Sequence, residues 1–576
     1  MAPLLEKLLS EKAISASQAQ AAENRCRRTG QSPEEAILSL ELCPEETLYR
    51  ALADLSGIPL ATEEELSEIS ADALEKVPEQ LSSRFQAMPL SLRDGMLQMA
   101  FAHPPAQGQL EQLHLLLGIP CQPLLVTPTR LAKQRQRIYG LGAEKIRRIQ
   151  SQRKEAPWGT AQDPEKSSEA AEETRAALQN PPENDSVSGL VNDILDAALD
   201  ARATDIHLEP FADGLRLRFR VDGLLQDVPT PKGMESLSDA IISRIKVLAR
   251  LDLAEKRLPH DGRLRLARKG SLWDLRVSLL PTRHGETLCM RILNGETLLK
   301  DMGSLGFSER HLSLLQEQLH RTSGLMLVTG PTGSGKTTTL YSILTHLMKG
   351  RPDLKIITVE DPVEYDIPGI TQIQTHAEIG LTFDGALRSI LRHDPDVILV
   401  GEIRDRETAE MAVQAAMTGH LVLSTLHTND AIGAANRLIN MGAQPDLVAT
   451  CLRLVLAQRL VRRLCPQCAI ADDAVSPQDR QELEEAAKAL GIPYAAPRKA
   501  APGGCLHCRG TGYLGRVGVY EILQVGEPLR DLISAASADS RLREEALREG
   551  WAPFRQDALA KVLQGITDLS EVHRVC

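Results

Sequence analysis

The sequence predicts an α/β protein of several domains, whose C-terminal half is a mostly parallel sheet covered by helices on both faces. Three observations carry this expectation. From about residue 299 onward the apolar runs "LMLVTG", "KIITVE", "DVILVGE" and "HLVLSTLH" alternate with helical segments, as strands buried on both faces do. The first run opens into the glycine-rich "GPTGSGKT", and a helical "TTLYSILTHLM" follows. Around residues 150–185 the chain turns polar and charged, "SQRKEAPWGTAQDPEKSSEAAEETRAALQNPPENDS", which separates the first 140 residues from the globular chain that follows.

Taken in order, residues 1–140 form a mainly helical domain. Ser32 is an N-cap, Pro33 suits the first helical position and Glu35 completes a capping box. "PLSLRDGMLQMAFAHPP" reads as two short strands around Asp94-Gly95. Residues 141–185 are expected to be a flexible linker, with a solvated helix over "SSEAAEETRAALQ" as the alternative. Residues 186–298 make a second domain. There "LVNDILDAALDA" is an amphipathic helix, and "LRLRFRVDGLL" alternates apolar with basic side chains until Asp222-Gly223 turns the chain. Residues 299–576 hold the parallel sheet.

A length of 576 residues suits three or four domains. The longest apolar runs are too short for a bilayer, and the N-terminus "MAPLLEKLLSEKAIS" lacks a signal peptide's pattern. A cytoplasmic location is expected, with any membrane contact made through partners. The net charge of −11 and an aromatic content of 3% count against a nucleic-acid partner.

Gly330, Pro331, Thr332, Gly333, Ser334, Gly335, Lys336 and Thr337 fit G-x-x-x-x-G-K-[ST], with Thr338 beside them. Such glycines let backbone N–H groups turn inward onto phosphate oxygens, at the positive end of a helix. Lys336 is placed to reach the β- and γ-phosphates of ATP, and the Thr337 hydroxyl to ligate Mg²⁺. Glu402 follows the strand "DVILVG", where a carboxylate can hold Mg²⁺ through water. Glu360, Asp361 and Glu364 crowd the end of "KIITVE", an arrangement a nearby cation would favour.

Cys465-x-x-Cys468 and Cys505-x-x-Cys508 are two knuckles separated by 36 residues. Together they suit a closed Cys₄ site for Zn²⁺, the alternatives being reduced thiols or a redox pair. The intervening "SPQDRQELEEAAKALGI" reads as one helix.

These motifs, in this order, resemble the secretion ATPases of type II secretion and type IV pilus systems. The resemblance covers residues 186–576 closely and 1–140 loosely. "GPTGSGKTTTLYS" is similar to that family's Walker A, "ITVEDPVEY" to its aspartate box, "DPDVILVGEIRD" to its Walker B and "TGHLVLSTLHTNDA" to its histidine box; "AQRLVRRLCPQC" leads into its zinc module. The resemblance implies a RecA-like P-loop ATPase core over 299–576 with a zinc module at about 460–515. It also implies a preceding α+β, PAS-like lobe over 186–298 and an N-terminal adaptor domain over 1–140.

By the same resemblance Glu364 activates the attacking water, Glu402 helps hold Mg²⁺, and His420 and His427 sense the γ-phosphate. Arg276 in "RVS" and Arg291 in "MRIL" reach over the phosphates, unless they pair along their strands; Arg216, Arg218 and Arg220 face solvent or a subunit interface. His260 and His393 stand where the family usually has Gln. The implied assembly is a homo-hexamer peripheral to the inner membrane. It would work on a membrane platform protein, held there by a membrane adaptor facing the cytoplasm.

The zinc module argues against the pilus-retraction branch, and the wording of "LDLAEKRLPHDGR" and "RVSLLPTRHGE" is closer to type II secretion. Pilus assembly is the alternative, and a ring that translocates nucleic acid a more distant one. "RTGQSPEEAIL" lacks the Leu-Gly of relatives that bind cyclic di-GMP, so protein docking is expected of the N-terminal domain.

Overall fold

The protein is described from a computed structural model. It describes residues 3–146, 187–293 and 300–576, save positions 30, 31, 41, 63, 64, 67, 68, 94, 143, 144, 232, 269, 270 and 506. The chain divides into two compact units, Met1–Leu264 with Leu275–Ile292, and Arg265–Asp274 with Leu293–Cys576.

The first unit begins with helices Pro3–Ser10, Ala16–Thr29, Pro33–Ser39 and Glu45–Ser56 around Leu5, Leu8, Ile37, Leu48 and Tyr49. The expected capping box is present: Glu35 N–H donates to Ser32 Oγ (3.3 Å) and Ser32 N–H to Glu35 Oε2 (3.1 Å). Strands β1 (Ala87–Arg93) and β2 (Met96–Phe101) pair antiparallel, and β3 (Cys121–Leu125) joins β2 in parallel after helix Gln107–Leu117. Helix Pro128–Tyr139 closes this part. Leu141 and Ile146, at the head of the expected linker, are buried. Leu141 N–H donates to Pro229 O (3.0 Å), and Lys145 pairs with Asp193 (2.8 Å). The remainder of the expected linker lies outside the described residues.

A six-stranded sheet follows, in the order β6-β5-β4-β9-β8-β7. Its strands are β4 (Ala203–Phe211), β5 (Gly214–Val221), β6 (Leu224–Val228), β7 (His260–Arg268), β8 (Ser271–Thr282) and β9 (Gly285–Leu293). The period of two read in "LRLRFRV" holds, with Leu215, Leu217 and Phe219 buried. Asp222 and Gly223 both take positive φ, 50° and 88°, as a tight two-residue hairpin turn requires. Helices Val187–Asp200 and Ser238–Leu248 contribute Leu190, Ile194, Ile241 and Ile245 to the same apolar layer.

The second unit holds a seven-stranded sheet in the order β12-β11-β13-β14-β10-β15-β18. Its strands are β10 (Gly324–Thr329), β11 (Ile356–Glu360), β12 (Thr371–Gln374), β13 (Val397–Val400), β14 (Leu421–Leu426), β15 (Leu452–Leu464) and β18 (Tyr513–Gln524). Every pairing is parallel except β15 with β18. All six residues of β10 and of β14 are buried, because helices cover both faces. One core carries Leu327, Val359, Val400 and Val422, and the other Met326, Val328, Leu340 and Leu344. Parallel strands send their C-terminal ends to one edge, where such sheets bind ligands. Between β15 and β18 lie the short strands β16 (Ile470–Ala471) and β17 (Arg498–Lys499) and helix Pro477–Leu490. That helix is the one expected between the knuckles. No helix among the described residues is long and apolar enough to cross a membrane.

Candidate active site and metal centre

At the C-terminal end of β10 the chain turns at Gly330, φ 144°. A Cβ there would lie 2.6 Å from Gln458 O and 2.6 Å from Ser334 Oγ, so glycine is required. Helix Lys336–Gly350 starts from Gly335 in the left-handed conformation. Glycine brings no capping side chain, which leaves the first N–H groups to an incoming anion. Lys336 Nζ lies over the loop and donates to Gly330 O (2.8 Å) and Pro331 O (3.2 Å). Pro331, Thr332 and Gly333 are exposed, Ser334 is buried, and Thr337 and Thr338 are half-buried in the first helical turn. Burial lowers the Lys336 ammonium from its ordinary pKa, and the Glu402 carboxylate opposes this.

Glu402 sits just past β13. Its oxygens meet Arg404 Nη2 (2.6 Å) and His427 Nε2 (3.7 Å). His427 directly follows β14; burial, then the charge of Lys336, lowers its imidazole pKa. Lys336, Glu402 and His427 therefore converge from three strand ends. His420 does not join them. It precedes β14, with Nδ1 3.0 Å from Ala415 O, and its carbonyl accepts from Gly324 N–H at the start of β10. The parallel register Gly324↔Leu421 through Thr329↔Leu426 puts it at the opposite sheet edge, roughly 20 Å of strand away. The two histidines, paired in sequence, are separated by the strand between them.

The expected crowding of three carboxylates resolves differently. Glu360 is buried and satisfied without a cation, accepting from Tyr341 Oη (2.6 Å), Thr358 Oγ1 (2.7 Å) and Gln372 Nε2 (3.1 Å). Asp361 is exposed and Glu364 half-buried. Glu364 N–H donates to Tyr341 Oη (3.3 Å), so one hydroxyl ties the phosphate-loop helix to the turn that carries Glu364. Tyr341 has no motif of its own beyond its place in "TTLYS".

In the first unit, Arg276 on β8 and Arg291 on β9 line a pocket of about 420 Å³ together with Asp261, Arg263, Ser278 and Cys289. Arg291 Nε donates to Asp205 Oδ1 (3.1 Å), and Arg220 Nε lies 3.6 Å from the other oxygen. Arg218 Nε donates to Glu209 Oε2 (2.7 Å). Arg218 and Arg220 thus reach β4 carboxylates while their side chains stay 29% and 39% exposed. Arg263 carries no motif of its own in the sequence; "HDGR" opens β7.

The four cysteines come together. Their sulfurs lie within 4.8 Å of one another, with Cys465–Cys505 at 3.8 Å, Cys468–Cys508 at 3.7 Å and Cys505–Cys508 at 3.8 Å. A tetrahedron with Zn–S arms of about 2.3 Å has edges of about 3.8 Å, so the set fits Zn²⁺. Cys508 Sγ accepts from Cys505 N–H (3.1 Å) and Gly512 N–H (3.1 Å). Burial pushes this thiol up, but those donors hold it down to about 7.

A parallel sheet with a phosphate loop, a lysine and a following-strand carboxylate at one edge defines a RecA-like P-loop ATPase. The family model described as Type II/IV secretion system protein matches residues 181–574, and the MshEN domain matches residues 56–145. The chain belongs to the Type II/IV secretion system protein family and is an ATP hydrolase of that family. It is 38% identical to the type IV pilus assembly ATPase PilB of Myxococcus xanthus, over 98% of this chain and 97% of that one. It is 40% identical to type II secretion system protein E of Xanthomonas campestris, over 93% and 91%. With the protein E of Pseudomonas aeruginosa the identity is 49% over 67% of this chain and 74% of that one.

Proposed function

We propose that this protein is a cytoplasmic motor, peripheral to the inner membrane, that hydrolyses ATP to assemble a pilin-like filament for type II secretion. The convergence of Lys336, Glu402 and His427 at the ends of β10, β13 and β14 carries the reading. The backbone N–H groups of Gly333 to Thr338 and the Lys336 ammonium hold the phosphates. Thr337 and, through water, Glu402 are the residues that would hold Mg²⁺, which supplies charge neutralisation at the β- and γ-oxygens. Glu364 takes the proton of the attacking water, and His427 senses the γ-phosphate beside Glu402. Arg276 and Arg291 stabilise charge on the transferred group, in a homo-hexamer whose sites are completed by assembly. The Cys₄ cluster holds structural zinc. A membrane platform protein is the load, and residues 1–140 dock a membrane adaptor. Pilus extension is the second reading, favoured by the near full-length alignment to a pilus assembly ATPase.

The test is Mg-ATPase activity per subunit against protein concentration, with Lys336→Ala as control. Activity that climbs with concentration and vanishes in the variant supports assembly-completed sites. Flat activity from a protein sized as a monomer refutes them.

A further inference from the structure

The amide of Gln458 lies directly beneath the phosphate loop. β15 runs parallel beside β10, with Thr329 opposite Ala457, so the next residue, Gln458, passes under Gly330. Its backbone oxygen is the atom a Cβ on Gly330 would strike at 2.6 Å. Its side chain is 1% exposed, and both ends of the amide are used. Nε2 donates to the carbonyl oxygen of Ser334, and Oε1 accepts from Thr339 Oγ1 (2.8 Å). One residue therefore touches the start of the loop, its fifth position and the first turn of the helix.

The bond to Ser334 has a consequence at the next atom pair. The Ser334–Gly335 peptide is planar and trans, so its C=O and N–H point in opposite directions. Anchoring the Ser334 oxygen downward onto Gln458 aims the Gly335 N–H upward, into the hollow of the loop. Gly335 has the backbone freedom to flip this plane, with φ at 89°. A buried acceptor left without its donor is costly, so the amide holds one orientation. Other side chains fail for stated reasons. Asparagine is one methylene too short, methionine has no N–H, and glutamate would set a carboxylate against the Ser334 carbonyl.

We infer that Gln458 is a positioning residue for ATP hydrolysis: it fixes the Ser334–Gly335 peptide so that the Gly335 N–H faces the nucleotide phosphates. Hydrolysis at the loop is presupposed, and Lys336→Ala checks that separately. The experiment uses the full chain with Gln458→Met and Gln458→Asn, ADP carrying a fluorescent ribose label, and steady-state ATPase kinetics. Each variant is expected to weaken ADP binding and raise KM for ATP about ten-fold, with kcat changing less. Nucleotide-free melting temperature identifies the folded protein. A variant that melts lower but binds ADP and shows KM within two-fold of the native protein overturns the inference, since a purely structural brace would do that. Should Gln458→Met fail to fold, Gln458→Asn, which keeps the buried polarity, decides the matter by the same two readouts.

Discussion

Replacing Tyr341 by Phe removes one oxygen and leaves the ring in place. Tyr341 is fully buried and Glu360 is 4% exposed, so no water replaces the lost donor cheaply. The bond is 2.6 Å to a carboxylate oxygen, Oε2, while Thr358 and Gln372 serve the other oxygen. A hydrogen bond to a charged group contributes about 1.5–3 kcal/mol, and leaving the buried acceptor unpaired tends toward the upper figure. At about 2–4 °C per kcal/mol for a unit of this size, melting should fall by roughly 3–12 °C. The same hydroxyl accepts from Glu364 N–H, so kcat should fall as well. Calorimetry on Tyr341→Phe, Glu360→Gln and the double variant closes a cycle. A coupling energy of about 1.5 kcal/mol or more is expected. A coupling below about 0.5 kcal/mol, the scatter of independent sites, would refute the view that the Tyr341 hydroxyl holds the Glu360 carboxyl group in place.

Three further outcomes follow from the geometry. His427→Ala should lower kcat at least ten-fold while His420→Ala leaves KM for ATP within two-fold, because His420 stands at the far sheet edge; steady-state kinetics decides this. Gly504→Ala should lower zinc content below one ion per chain by elemental analysis, since a Cβ there would sit 2.6 Å from Gly510 C and 2.7 Å from Cys508 Sγ, at φ +55°. Burial, then Asp430, raises the Glu521 carboxyl from an ordinary 4.5 to about 7, so the folded state binds its proton more tightly than the unfolded one. That stabilisation is full below pH 4.5 and is lost as pH rises through 7; it is worth roughly 3 kcal/mol, and Glu521→Gln should flatten melting temperature over that range.

The four central strands were legible because continuous apolar runs such as "DVILVG" fit only a strand buried on both faces. The phosphate loop was legible because its glycines and lysine are local in sequence, and the cysteines because metal knuckles have fixed spacing. β15 and β18 were not recognised as strands: arginines interrupt "LRLVLAQRLVRRL", and glycines break "YLGRVGVYEILQ". Their pairing spans a 48-residue insertion from Cys465 to Gly512, a long-range register that no local pattern encodes. Gln458, Tyr341 and the satisfaction of Glu360 were invisible for a related reason. Each depends on a partner brought from another element, and a glutamine in an apolar run carries no mark of what it will meet. The opposite placement of His420 was readable in principle, since an uninterrupted six-residue strand separates it from His427.

The pair β15–β18 is far longer than the strands beside it. Only Leu452–Ala457 lie along β10; Gln458–Leu464 run on past the loop to Cys465. This overhang is an arm of roughly 20 Å, rooted under the phosphate loop and tipped by the sulfur cluster. A rotation of about five degrees at the root would carry the tip about 2 Å. Arg462 bonds Glu571 (2.8 Å) and Leu464 N–H bonds Ile566 O (2.8 Å), so the arm cannot bend alone. Any tilt of the arm would therefore carry the C-terminal helices with it and would be largest at the sulfur cluster.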